Sequence, residues 1–254
     1  MRLPLLPTLF TLVSIVILCG LGFWQLERLE WKTRLITDMQ QQLTQPPFDL
    51  DASSEARPDL NYRQVKLTGR FIDFGELHLL SRVHDGQVGI HAVEFFRQEN
   101  GDIWLVNRGW VAPEAIRQLP YRGACDYSAS LPCRAQGDPV TLTAIARQPR
   151  VPDRFTPPNN PSENQWYFYE PEAMFRTAEV ASLPLMQELL ASARHDYVLE
   201  ATADQSVGPY KAGVTRLDIP NNHLVYALTW FALAFTLAGV YGFFLRSLYR
   251  RQLS

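Results

Sequence analysis

The sequence predicts an integral membrane protein: two transmembrane helices flanking an α+β extramembrane domain dominated by an antiparallel sheet or partly closed β-barrel. Three observations carry this. Residues 3–26 and 219–245 are charge-free, mostly apolar runs, and about 20 apolar residues cross a bilayer core as a helix. The 192 residues between them, Glu27 to Asp218, are polar and long enough for one core of ordinary size. Within that segment, short runs of period-2 alternation are broken by Asp85-Gly86 and Asn100-Gly101, dipeptides that tolerate the positive φ of tight hairpins.

The first span, 3–26, is longer than a signal-peptide core and lacks a small-residue cleavage site, so it reads as an uncleaved anchor. Charge orients it. Of the 24 Lys and Arg, only Arg2, Arg246, Arg250 and Arg251 lie outside Glu27–Asp218, and none of the 26 Asp and Glu does, so the ends carry +4 and the central segment −6. Lys and Arg close to a span hold that flank in the cytoplasm, whereas long domains are exported largely regardless of charge. Both termini are therefore expected in the cytoplasm and domain 27–218 outside. In a bacterium that places the spans in the inner membrane and the domain in the periplasm; in a mitochondrion the domain would face the intermembrane space.

Trp24, Arg28, Trp31 and Leu35 continue one helical face beyond the first span, to about Gln42 before Pro46-Pro47. Both indoles suit the membrane interface. Residues 49–59 read as a polar loop. Val65, Leu67 and Phe71 alternate with Lys66, Thr68 and Arg70 as a half-buried strand. An antiparallel meander follows over 76–110, with strands at 77–83, 88–96 and 103–107. Residues 120–139 form an irregular excursion, 140–146 a further strand, and 147–161, with five prolines, a loop. Short strands are expected at 166–169 and 197–203, and short helices at 170–181 and 185–193. The second span, 219–245, is followed by a tail, 246–254.

Several segments recur in a known order: Leu21-Gly22-Phe23-Trp24-Gln25-Leu26-Glu27-Arg28 with Trp31-Lys32; Tyr62-Arg63 with Gly69-Arg70-Phe71; Val106-Asn107-Arg108-Gly109-Trp110-Val111-Ala112-Pro113; and Asn221-Asn222-His223-Leu224 with Tyr226-Ala227 and Thr229-Trp230-Phe231. Their order and spacing resemble the surfeit-locus protein 1 family, assembly factors for cytochrome c oxidase, in its bacterial form. The resemblance covers nearly the whole chain except the excursion 121–137. It implies a role in maturing subunit I of a heme-copper oxidase at the heme a stage. It also implies heme a as cofactor, subunit I, heme A synthase and the bilayer as partners, and His223 as ligand.

The residues themselves also single out His223. An ionisable side chain at the mouth of an apolar span is a functional candidate, and neutral imidazole is a standard axial ligand of heme iron. The alternative is an interfacial histidine that caps or snorkels, beside Asn221 and Asn222 as helix caps. Ala227, Trp230 and Ala234 share the face of His223; Ala227 would leave room for a porphyrin edge and Trp230 could pack on its plane. Against this, Ala234, Ala238 and Gly242 form a small-residue ridge suited to packing on another helix.

His78, His84 and His91 surround the Asp85-Gly86 turn. A turn centred there pairs residue 91 with 80 and makes His78 a same-face diagonal neighbour of His91. Two histidines fall short of a structural zinc site, and solvated strand residues are the plainer account. Cys125 and Cys133, in the exported domain, suit a disulfide, with redox or metal delivery as the alternative; Cys19, within the bilayer, reads as an apolar filler. Arg108 and Trp110 could form a docking surface or receive a heme propionate, or else cap the sheet from within. Gly109 between them suggests a bulge.

No paired carboxylates, nucleophile motif or phosphate loop appears, which argues against an enzyme, and no basic patch suggests nucleic acid. The competing class is a membrane-tethered scaffold or adhesion module without cofactor. A sensor is disfavoured, because the nine residues after Leu245 leave no output domain.

Overall fold

The computed structural model describes residues 4–52, 58–116, 138–178, 183–206, 208–213 and 221–253. They fall into two compact units, 41–216 and the pair formed by 1–40 with 217–254.

The second of these is a helix pair. Helix α1 spans Leu5–Thr44, and a later helix spans His223–Leu253. Both are long and apolar enough to cross a membrane. Leu6, Phe10, Val16, Val225, Phe235 and Phe243 stand exposed along them, as lipid-facing side chains would.

In unit 41–216, a short β1 (Phe48–Asp49) precedes the long β2 (Gln64–His84), β3 (Gln87–Gln98) and β4 (Ile103–Val111). The one-turn helix α2 (Pro113–Ile116), β5 (Val140–Arg147) and β6 (Gln165–Trp166) come next. Helices α3 (Pro171–Arg176) and α4 (Leu183–Ser192), β7 (Val198–Ala201) and then α5, the second long helix, complete the order. The Asp85-Gly86 hairpin forms as expected, with φ of 48° and 79° and His84 paired with Gln87.

The barrel closes fully. β2 pairs antiparallel with β3, β3 with β4, β4 parallel with β7, β7 antiparallel with β5, and β5 with the first residues of β2. Closure leaves this five-stranded ring no free edge. β1 adds in parallel to the start of β2, at Val65 and Lys66, and β6 to its second half, at His78 and Leu79.

Alternation then sorts the side chains. Val65, Leu67, Phe96, Trp104, Val106, Leu142, Ala144 and Leu199, drawn from all five ring strands, fill the interior. Phe95, Ile103 and Leu105, of opposite parity on β3 and β4, and Leu79, beyond the register shift between Ile72 and Leu77 of β2, pack outward under Trp166, Met174, Phe175 and Leu189 of β6, α3 and α4. That is why β4 is buried along nearly its whole length rather than on alternate residues.

One bulge corrects the expected register. Leu79 pairs with His91 and His78 with Ala92, because β2 carries an extra residue between Leu79 and Arg82, where Ser81 takes φ 58°. One residue of slip moves a side chain to the other face. His78 and His91 therefore lie on opposite faces, not diagonally on one. Among the described residues, no group of three or more His, Cys, Asp and Glu could hold a metal ion.

Candidate functional site

In α1 the less exposed positions recur at Thr8, Thr11, Ile15, Leu18, Gly22, Gln25 and Leu29, and in α5 at His223, Ala227, Trp230, Ala234, Leu237 and Tyr241. The alternating three-and-four spacing is that of a coiled-coil seam. The helices run antiparallel: Asn221 Nδ2 donates to Thr33 Oγ1 at 3.2 Å, His223 meets Gln25, and the Tyr241 and Thr8 hydroxyls are hydrogen-bonded near the other end. Gly22 permits the approach. A Cβ there would come within 2.6 Å of the Phe231 ring, which also packs edge-on against Phe23 at 5.4 Å.

The seam corrects the expected packing ridge. Ala234 is buried, but Ala238 and Gly242 are exposed, because a period of 3.5 carries the contact line to Leu237 and Tyr241. Ala227, 1 % exposed, is covered within the helix pair. Trp230 is half-buried on the same seam.

His223 is the first residue of α5, half-buried. Its Nδ1 lies 2.7 Å from Gln25 Oε1. An amide oxygen can only accept, so the contact puts a proton on Nδ1, and in the neutral ring the lone pair is then on Nε2. A neutral imidazole so held can ligate a metal or a heme iron. The role of Gln25 was not legible beforehand, although one signal existed: a polar amide three residues from a glycine within a charge-free run.

The Asn107-Arg108-Gly109-Trp110 segment lies at a bulge in β4, where Ala92 faces Gly109 but Val93 faces Asn107. Each residue has an internal partner. Arg108 donates to Glu94, with its guanidinium 4.0 Å from the Phe71 ring and 4.8 Å from that of Tyr210. Tyr210 in turn donates to Glu76 at 2.8 Å, and burial followed by the Glu94 and Glu76 charges raises its pKa, keeping it a donor. Gly109 takes φ 122°, and a Cβ there would fall 2.1 Å from the Lys211 carbonyl oxygen. That approach allows Trp110 and Lys211 to exchange backbone hydrogen bonds at 2.9 Å each way. Trp110 is 1 % exposed, donating to the Arg82 carbonyl at 3.1 Å.

Asn107 is buried between His91 Nδ1 at 2.9 Å and the Tyr169 hydroxyl at 2.7 Å. Burial, then the charges of Arg82 and His84, lowers the His91 pKa to about 4. Arg108 and Trp110 thus cap the sheet from within. Trp110 has no surface for docking, and Arg108 is already bound to a carboxylate. Cys125 and Cys133 lie outside the described residues.

The SURF1 family model matches residues 12–235, which takes in most of α1, the whole barrel and the first turns of α5. The chain belongs to the SURF1 family. It is 28 % identical over 249 residues to a SURF1-like protein of Rickettsia bellii, covering 96 % of this chain and 93 % of that one. It is 28 % identical over 234 residues to Surfeit locus protein 1 of Homo sapiens, covering 85 % and 69 %, and 28 % identical over 230 residues to the Mus musculus protein of that name, covering 84 % and 67 %.

Proposed function

We propose that this SURF1-family protein is a non-catalytic assembly factor for a heme-copper terminal oxidase, holding heme a transiently and assisting its insertion into subunit I. The observation that supports this most is the presentation of His223, a half-buried imidazole at the head of an apolar helix with Nδ1 engaged by Gln25, which assigns the ligand role to Nε2. Heme a is cargo in this reading. His223 supplies the nitrogen ligand, the half-buried Trp230 two turns further offers an aromatic surface, and Ala227 serves helix packing. The barrel is exported and both termini are cytoplasmic, in keeping with the +4 ends and −6 centre. Subunit I and heme A synthase are the expected partners.

A cofactor-free scaffold would have no use for the ligand geometry. Removing the protein from its host should lower the heme a content per subunit I in isolated membranes, and His223→Ala should reproduce part of that loss at unchanged protein level. Full heme a occupancy of subunit I in the deletion strain would refute the assembly role.

A further inference from the structure

We infer that Gln25 is a positioning residue for His223, and that the ligand site is therefore built by both long helices rather than by α5 alone. The inference rests on the reading of His223 as a heme ligand and extends it to the residue that makes the imidazole competent. With the Oε1–Nδ1 distance at 2.7 Å, the amide carbonyl fixes the Nδ1–H tautomer and the ring rotation together. The nitrogen at the far side of the ring, Nε2, then carries the lone pair. Metal-bound histidines are commonly held this way by an outer acceptor, which also raises the basicity of the ligating nitrogen.

Three further features hold Gln25 in place. It sits half-buried on the seam, one turn from Gly22, whose missing side chain lets Phe231 and α5 approach. The Asn221–Thr33 hydrogen bond, 3.2 Å, pins the pair beyond His223. Both side chains are half-buried, so neither the amide nor the imidazole is fully solvated and each gains by securing the other.

The test uses the full chain in lipid nanodiscs, labelled with 15N-histidine, with His223→Ala to assign its signal among the five histidines. His223 should show a protonated Nδ1 and a bare Nε2 before any heme is added. Gln25→Met, similar in volume but without an acceptor, should mix or reverse the tautomer and weaken binding of added heme a by about 10- to 100-fold. Gln25→Glu keeps an acceptor, so it should keep the tautomer and the affinity while lowering the heme reduction potential.

An Nε2–H tautomer in the wild type would overturn the inference. So would an unchanged tautomer and heme a affinity in Gln25→Met, and heme binding through His223 would then still stand. Failure of the wild type to bind added heme a would remove the ligand reading instead. The tautomer signals of wild type and Gln25→Met would still decide whether Gln25 orders His223.

Discussion

At the residue scale, the β4 bulge shows how four neighbouring side chains are fixed by different forces. Gly109 is needed for both its φ of 122° and the 2.1 Å approach a Cβ would make to Lys211. Gly109→Ala should therefore cost about 1–3 kcal/mol from backbone strain alone, seen as faster amide exchange at Trp110 and Lys211. His91 makes a pH-dependent contribution. Its ordinary pKa of 6.5 falls to about 4 in the fold, so as pH drops through this window the unfolded chain takes up a proton that the folded one refuses. The barrel should lose up to about 3 kcal/mol between pH 6.5 and 4 and no more from this group below that. His91→Gln, which keeps an acceptor for Asn107, should flatten the slope of β3 and β4 amide protection over that window. The sequence marked Gly109 as a bulge and His223 as a candidate ligand, since both stand out against local expectation. It could not mark Gln25, whose meaning depends on a partner 198 residues away.

At the scale of elements, hairpins and helices were legible because their determinants are local. Asp85-Gly86 and Asn100-Gly101 set turns between strands found within a few residues of their expected bounds. β2 was read as two strands but is one of 21 residues, because the Gly75 and Ser81 bulges interrupt the alternation. Ring closure and the parallel β4–β7 pair were hidden for another reason: they join strands far apart in sequence. In the helix pair, the Ala234-Ala238-Gly242 ridge misled because successive steps of four drift about 40° each around the helix, away from the seam. Gly22 makes that pair testable. Gly22→Val should collide with Phe231 and separate the helices, lowering cross-linking between cysteines placed at residues 8 and 241 several-fold. Phe231→Ala in the same chain should restore part of it.

For the whole molecule, the charge partition and the two long helices give a layout with consequences on both sides of a membrane. A reporter fused after residue 254 should report cytoplasm, and one inserted near Pro149, in an exposed loop, should report export; a cytoplasmic signal at Pro149 would reverse the layout. If the domain is exported, Cys125 and Cys133 should be recovered as a linked pair in non-reduced peptide mass spectra. Free alkylation of both would restore the redox and metal alternatives. The central claim is that His223 carries heme a. Its most direct test is the heme a content and visible spectrum of the full chain purified from cells that make heme A, compared with His223→Ala at equal yield. Ala is well tolerated in an apolar helix, so the variant should insert normally. The wild type should retain heme a and His223→Ala should lose most of it; equal heme a in the two, or none in either, would contradict the account.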